Sequence, residues 1–285
     1  LGVDSRWFGG ALTFGATVYQ SNTLNQLLET DLDPGTGYKK LYVQAGNVRN
    51  RGIEMTLGFN KKFGGFEYSS NVTATANRNK ILKLASGVTN PITHEVFDLK
   101  DIVKGRFRLR EGGELGDVYA SERIKRDANG YVDYTPGQSL VTEPTTPYKL
   151  GSVNAKWNLG WKHGFSYKGF DLNMLFTARL GGIVISKTQA ALDKFGVSQA
   201  SADARDAGGI NIGEGLTIAP QQFYDAVYNL DSYYVYSATN VRLQELSLSY
   251  SLPKNFLGKT FKNVALSVYA TDLWMIYNKA PYDPE

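Results

Sequence analysis

The stretch Gly52-Ile-Glu-Met-Thr-Leu-Gly-Phe-Asn-Lys-Lys-Phe-Gly-Gly-Phe-Glu-Tyr-Ser-Ser-Asn-Val-Thr-Ala-Thr-Ala76 decides the architecture. Ile53, Met55, Leu57 and Phe59 alternate with Gly52, Glu54, Thr56 and Gly58. After the turn signal Lys61-Lys-Phe-Gly-Gly65, Phe66, Tyr68, Val72, Ala74 and Ala76 alternate with Glu67, Ser69, Asn71, Thr73 and Thr75. A period of two sends successive side chains to opposite faces, so this is a hairpin with one apolar and one polar face. The pattern returns at Val153, Ala155, Trp157, Leu159 and Trp161, and again at Phe170, Leu172, Met174, Phe176 and Ala178. Weaker versions run through residues 11–20, 241–252 and 263–274, the second with a phase slip near Glu245 of the kind a β-bulge makes. Seven strands are expected, with a stub of chain before the first.

Short and long connections between these strands strictly alternate. The short ones are Trp7-Phe-Gly-Gly10, Lys61 to Gly65, Lys162 to Gly169 and Pro253 to Lys262. The long ones cover roughly residues 21–49, 79–148 and 181–239. Loops beyond ~12–15 residues are uncommon inside a compact soluble domain. In an antiparallel meander alternate connections lie at opposite ends, so all short turns share one end and all long loops the other. That asymmetry belongs to bacterial outer-membrane barrels, and strands of about 9–11 residues are long enough to cross a bilayer when tilted. The expected fold class is therefore all-β, a transmembrane antiparallel β-barrel.

Aromatic residues support this placement. Trp7, Phe8, Phe63, Phe66, Trp161, Phe165, Tyr167, Phe170, Phe256 and Phe261 gather near the short-turn end, and Tyr19, Tyr236, Trp274 and Tyr277 toward the other, as two interfacial girdles would. The alternative is a secreted antiparallel sandwich that binds glycans, because aromatics favour any strand and glycine any turn. Seven strands and a stub cannot close a barrel in lipid, so residues 1–285 are expected to be one sector of a larger one. The start, Leu-Gly-Val-Asp-Ser-Arg, carries no signal-peptide pattern, and Ala280 to Glu285 stops in turn chemistry; both ends read as cuts.

Composition excludes several chemistries. A net charge of +4 from 31 Lys plus Arg and 27 Asp plus Glu is too balanced for a nucleic-acid footprint. Without cysteine there is no disulfide, thiolate zinc site or catalytic thiol. The two histidines, His94 in a loop and His163 in a short turn, offer no metal pair or triad. Lys125 to Asp133 looks like half of a calcium loop through Asp127, Asn129 and Asp133, but Pro136 stands where a bidentate Glu belongs, and an Asn129-Gly130 hairpin turn is the better reading. Gly208 to Gly215 has glycines but no P-loop lysine or following helix, and reads as a flexible loop. Segment 186–206 has the composition of short helices. Neither a cofactor nor an enzymatic activity is expected.

Several segments resemble the SusC-type TonB-dependent outer-membrane transporters of Bacteroidetes. Gly46-Asn-Val-Arg-Asn-Arg-Gly-Ile-Glu54, Leu109-Arg-Glu-Gly-Gly113 with Gly116-Asp-Val-Tyr119, Tyr167-Lys-Gly-Phe-Asp-Leu172 with Arg179-Leu-Gly-Gly182, Ala238-Thr-Asn-Val-Arg-Leu243 running to Tyr250-Ser-Leu-Pro253, and Asp283-Pro-Glu285 are similar to motifs of that family. Thr271-Asp-Leu-Trp274 departs mildly from its Asn-rich counterpart. The resemblance implies the C-terminal part of a 22-stranded barrel, with the plug domain, N-terminal strands and TonB-contacting segment outside this chain. It also implies a multi-pass outer-membrane importer of oligosaccharides, or in some members peptides, in a Gram-negative bacterium. TonB would energise it, and a SusD-like surface lipoprotein would dock on the long loops as a lid.

Tyr119, Tyr131, Tyr134, Tyr233 and Tyr234 sit in or beside the long loops, where flat rings can stack on sugars or meet the lid. Packing the loops together is the simpler role for each. Glu54, Asn71, Asn154, Lys156, Asn173 and Arg179 are expected to face the lumen, lining a passage or clasping a plug.

Overall fold

A computed structural model describes residues 1–25, 27–31, 40–44, 46–89, 94–134, 140–213, 215–257 and 261–284. Eight strands form its main sheet: β1 (Gly2–Trp7), β2 (Leu12–Leu24), β3 (Asn47–Phe63), β4 (Phe66–Lys83), β5 (Trp157–Tyr167), β6 (Phe170–Leu180), β7 (Asn240–Ser251) and β8 (Ala265–Asn278). Their order in the sheet is their order in the chain, and every neighbouring pair is antiparallel. The stub before residue 8 is a full member, paired from Gly2↔Thr17 to Trp7↔Leu12. The structure is thus an eight-stranded sector of an up-and-down barrel wall.

One strand lies further along the chain than the alternation from Val153 suggests. Val153 is engaged by the loops instead, its N–H donating to the Gly116 carbonyl at 2.9 Å and its carbonyl accepting from Arg179 Nη2 at 2.7 Å. The strand begins at Trp157 and continues through His163, Phe165 and Tyr167, so His163 is a strand residue rather than a turn residue. Only Lys168 and Gly169 remain as the turn, with φ of 48° and 86°, the left-handed pair that suits a two-residue hairpin. The bulge is where the phase slips: against β6 the register shifts between Leu175 and Phe176 and leaves Gln244 as the extra residue, while against β8 Gln244 stands opposite two residues, Asp272 and Leu273.

Register fixes the two faces of the wall. Phe14, Leu57, Val72, Trp161, Phe176, Leu243 and Trp274 stand side by side across seven strands on the outer face. Thr17, Glu54, Thr75, Asn158, Arg179 and Asn240 form the corresponding inner row. The outer row is apolar yet uncovered, with Leu57 at 45% exposure, Trp161 at 48% and Trp274 at 63%. A sandwich would bury that face against a second sheet; an apolar band left bare on a polar-lined wall is the membrane-barrel arrangement. Near the short turns Phe63, Phe66, Tyr167, Phe170 and Tyr250 make one outer row, the inner-leaflet girdle. Tyr19 and Tyr236 do not join the opposite girdle: Tyr19 pairs with Gly52 on the lumen face, and Tyr236 pairs with Val184 within the third loop. No helix among the described residues is long and apolar enough to cross a membrane.

Among the described residues, buried hydrophobic cores form in the loops and where they meet the ends of the strands. Val48 at the start of β3 and Ile81 near the end of β4 are buried together with Leu84 and Ile102, and Leu109 and Leu115 pack on them. The second long loop, between β4 and β5, carries a four-stranded sheet of Asp101–Lys104, Phe107–Arg110, Asp117–Ile124 and Thr142–Ser152. The third, between β6 and β7, holds helices α1 (Lys187–Lys194), α2 (Gln199–Asp206) and α3 (Pro220–Val227). Ser186 and Ser198 cap the first two by accepting from the N–H groups of Gln189 and Ser201, and Pro220 opens the third. The glycine-rich stretch from Gly208 is ordered as a hairpin of Ile210–Gly213 with Leu216–Ile218, because Ile212 and Ile218 are drawn into the core beneath it. That core also holds Leu140, Ala190, Phe223, Tyr224, Val227, Leu230 and Tyr234.

Candidate functional site

The motif segments come together where strands meet loops. Ile81 N donates to Gly113 O and Gly112 N to Ile81 O, both at 2.8 Å, so Leu109 to Gly113 clips onto the top of β4 as an extra pairing. Leu115 N donates to Asn79 Oδ1 at 3.0 Å and Leu84 N to Glu111 Oε1 at 3.1 Å. At the other side, Arg242 on β7 donates from Nη2 to Asp283 Oδ1 at 2.8 Å and from Nη1 to Oδ2 at 3.3 Å, a two-point guanidinium–carboxylate contact. Gly181 and Gly182 follow β6 with φ of 83° and 82°, and a Cβ on Gly182 would meet the Val153 carbonyl at 3.1 Å. These contacts hang both loops over the lumen side of the wall.

Beneath them lies a cavity of about 1110 Å³. Its floor is the inner face of β3–β6, with Glu54, Thr75, Asn158 and Arg179 in one row and Asn50, Asn77 and Asn79 further toward the loops. Asn77 and Asn79 both donate to Asn50 Oδ1 at 3.1 Å. The roof comes from Glu114, Lys149 to Ser152, Gly181 to Ile183 and Val235 to Ser237. Lys149 Nζ stands 2.5 Å from the buried carboxylate of Asp117, which itself accepts from Glu114 N at 3.0 Å. Arg179 is held by the Val153 carbonyl, while its Nε is buried with no acceptor among the described residues.

The lining is therefore rich in amides that both donate and accept, flanked by Arg78, Lys149, Lys156 and Arg179 on the basic side and Glu54 and Glu114 on the acidic side. Glu54, Asn154, Lys156 and Arg179, expected in the lumen, all line this cavity. Asn71 lies lower on the same face, beside Gly58 and Lys162 in a smaller pocket, and Asn173 stands opposite Gly164. Among the described residues two aromatic side chains line the cavity, Tyr19 and Tyr236. Tyr19 lies flat over Gly52, where a Cβ would meet its ring at 2.3 Å, so the glycine makes room for the ring. Its parity with Thr13, Gly15 and Thr17, rather than with Phe14, Ala16 and Val18, is the sequence signal that places it inside.

The five loop tyrosines stand elsewhere. Tyr119 is half-buried in the second loop with the Arg108 guanidinium 5.9 Å from its ring centre. Tyr131, 40% exposed, seats its ring over Gly213 and so ties the second loop to the third. Tyr134 packs on the third-loop core, and Tyr234 is fully buried in it. Tyr233 meets Phe223 and Tyr234 edge to face at 5.6 and 4.9 Å. Burial pushes the Tyr233 hydroxyl up to about 12 and raises those of Tyr224, Tyr234 and Tyr236 as well, with the Asp193 carboxylate adding to each.

The residues from 127 to 133 form a turn. Asp127 Oδ1 accepts from Asn129 N at 2.8 Å and Tyr131 N at 2.9 Å, Gly130 takes φ of 87°, and Asp133 pairs with Lys125. With its oxygen committed to the backbone Asp127 is a turn-former; Pro136 lies outside the described residues. Among the described residues no cluster of three or more His, Cys, Asp or Glu is placed to hold a metal ion.

No protein-family model matches the chain. Over its whole length it is 27% identical to TonB-dependent receptor P3 of Formosa agariphila and 23% identical to TonB-dependent receptor SusC of Bacteroides thetaiotaomicron. It spans 30% and 29% of those two proteins, less than a third of their length. In fold it matches the RagAB peptide transporter, with a TM-score of 0.71 at 19% identity, over 99% of this chain and 31% of that one. A closed-closed state of the RagAB peptide importer gives 0.73 at 18% identity, over 97% and 31%.

Proposed function

We propose, from the premise that this chain is a barrel segment of a SusC-type TonB-dependent receptor, that the complete protein is a TonB-dependent importer of oligosaccharides in the outer membrane of a Gram-negative bacterium. The observation that carries this reading is the cavity on the lumen side of β3–β6, at the long-loop end. Asn50, Asn77, Asn79, Asn154 and Asn158 offer the paired donors and acceptors that a polyhydroxylated ligand needs, and Tyr19 and Tyr236 offer faces for sugar rings. Arg179 adds a cation to the cavity floor. A SusD-like surface lipoprotein closes the mouth above the loops, with Tyr131 and Tyr233 as its exposed contacts and Tyr119, Tyr134 and Tyr234 shaping the surface beneath. TonB acts through parts of the protein beyond this chain.

A second reading, oligopeptide import, is favoured by the mixed charge at Glu54, Arg179 and Lys156, which suits a zwitterionic chain. Binding to the full-length receptor with purified oligosaccharides and oligopeptides separates them. The first predicts that an oligosaccharide binds and that Asn158→Leu weakens it about tenfold, one buried polar pair being worth about 1–2 kcal/mol. Competition by peptides alone would move the assignment to the second. Failure of both classes would remove the import assignment.

A further inference from the structure

The outer face of the wall carries polar groups where lipid should demand none. His163 lies on that face, in register with Ser70 on β4 and Met174 on β6. It is only 9% exposed, enclosed by Trp161, Phe165, Phe176 and Tyr68, with ring centres 4.2 to 6.2 Å away. Tyr68 Oη and His163 Nδ1 share a hydrogen bond of 2.9 Å, and Trp161 Nε1 donates to Ser70 Oγ at 3.0 Å. Ionisable side chains on a membrane-facing surface are costly and mark function.

Cations stand at the rim of the same patch. Lys61 is on the outer face opposite Tyr68, its ammonium 5.5 Å from the Phe63 ring centre. Lys168, in the β5–β6 turn, lies 5.1 Å from the Tyr167 ring centre. These two flank β4, whose Phe66 is paired with both Phe63 and Tyr167. The carboxylates of β3–β6 face the other way. Glu54 is in the lumen row, Glu67 pairs with Lys62 at 3.1 Å on that side, and Asp171 accepts from Ser166 at 2.5 Å. The membrane side of this end is positive without a compensating acid on those strands.

Depth orders the groups. With ~3.3 Å per residue and a tilt of ~45°, His163 sits about 9 Å deeper than Tyr167. Lys168 is then at the level of lipid phosphate, and Lys61, whose backbone is level with Tyr68, reaches toward that level by extending its stem to the Phe63 ring; Tyr68, His163 and Ser70 are at the level of the glycerol esters, and Leu57, Val72 and Phe176 among the acyl chains.

We propose that Lys61, Lys168, Tyr68, His163 and Ser70 form a binding site for one anionic phospholipid of the leaflet at the short-turn end. Its phosphate would lie over Phe66 between the two lysines, and its ester carbonyls against the Tyr68–His163 and Ser70–Trp161 pairs. Positive charge near a headgroup favours anionic lipid several-fold per lysine.

The test is native mass spectrometry of the full-length receptor, released from nanodiscs of phosphatidylcholine containing phosphatidylglycerol. The wild type should retain phosphatidylglycerol over phosphatidylcholine by about tenfold. Lys61→Gln combined with Lys168→Asn, which keeps the left-handed turn accessible, should bring that preference below about twofold, whereas Lys62→Gln on the lumen face should leave it intact. His163→Phe preserves the ring packing and should shorten lipid residence. Excess glycerol 3-phosphate should not compete, because the acyl chains hold the lipid to the wall. A wild type without preference, a double variant that keeps it, displacement by glycerol 3-phosphate, or cross-links at Ser70→Cys showing a second copy against the patch would overturn the site. Heat-modified mobility on gels reports whether each variant is folded.

Discussion

The wall and the third loop solve the same problem in opposite ways. In the wall, Leu57, Trp161 and Trp274 point outward and stay exposed, while Glu54, Asn158 and Arg179 point inward. In the loop, Phe223, Val227 and Tyr234 are buried among themselves and polar groups cover them. The wall satisfies its backbone by strand pairing and leaves hydrophobic burial to lipid; the loop, in water, must build its own core. One chain is thus folded against two solvents, and its hydrophobic residues mean different things in each.

Substitutions can break that contrast. The largest expected effect is Tyr234→Ala, which removes a fully buried ring and should destabilise the loop by about 3–5 kcal/mol. Hydrogen exchange should show deprotection of α1–α3 with the barrel unchanged. Next is Ala74→Arg, on the outer face opposite Met55 and Leu159, which should cost about 2–4 kcal/mol in a bilayer. Its neighbour Thr73→Arg, facing the lumen, should cost little, and urea unfolding in lipid vesicles measures both. Equal costs would abolish the distinction between the faces.

Asp127→Ala should cost the second-loop turn about 1 kcal/mol, by freeing the N–H groups of Asn129 and Tyr131. Calcium chelation should leave loop protection unchanged, as a turn-former rather than a ligand requires. The smallest effect is on pH. The Tyr233 hydroxyl is raised from 10.0 to about 12 by burial, so the folded loop holds that proton more tightly than the unfolded chain. Its contribution is complete below pH 10 and is lost as pH rises through about 12. Tyr233→Phe should flatten the loop's stability in that window.

The alternation in 52–76 and 170–178, the slip near Glu245 and the short-turn, long-loop order were all legible, because a strand's two faces and a barrel's two ends are local properties of the chain. Loop helices in 186–206 were legible from composition, and the Asn129-Gly130 turn from its dipeptide. The extent of β5 was not, because Val153 and Ala155 keep the alternation while the Gly116 carbonyl and Arg179 draw that backbone into the loops. Nor could glycines 208–215 announce a hairpin whose order comes from Ile212 and Ile218 reaching a distant core.

By itself the sequence determined the solvent of each face, since period-two patterning and turn chemistry act over a few residues. Only the tertiary structure decided what the lumen face holds. Glu54, Asn79, Lys149, Arg179 and Tyr236 come from strands and loops far apart in the chain, and cross-strand register together with the Gly113–Ile81 and Val153–Arg179 contacts brings them around one cavity.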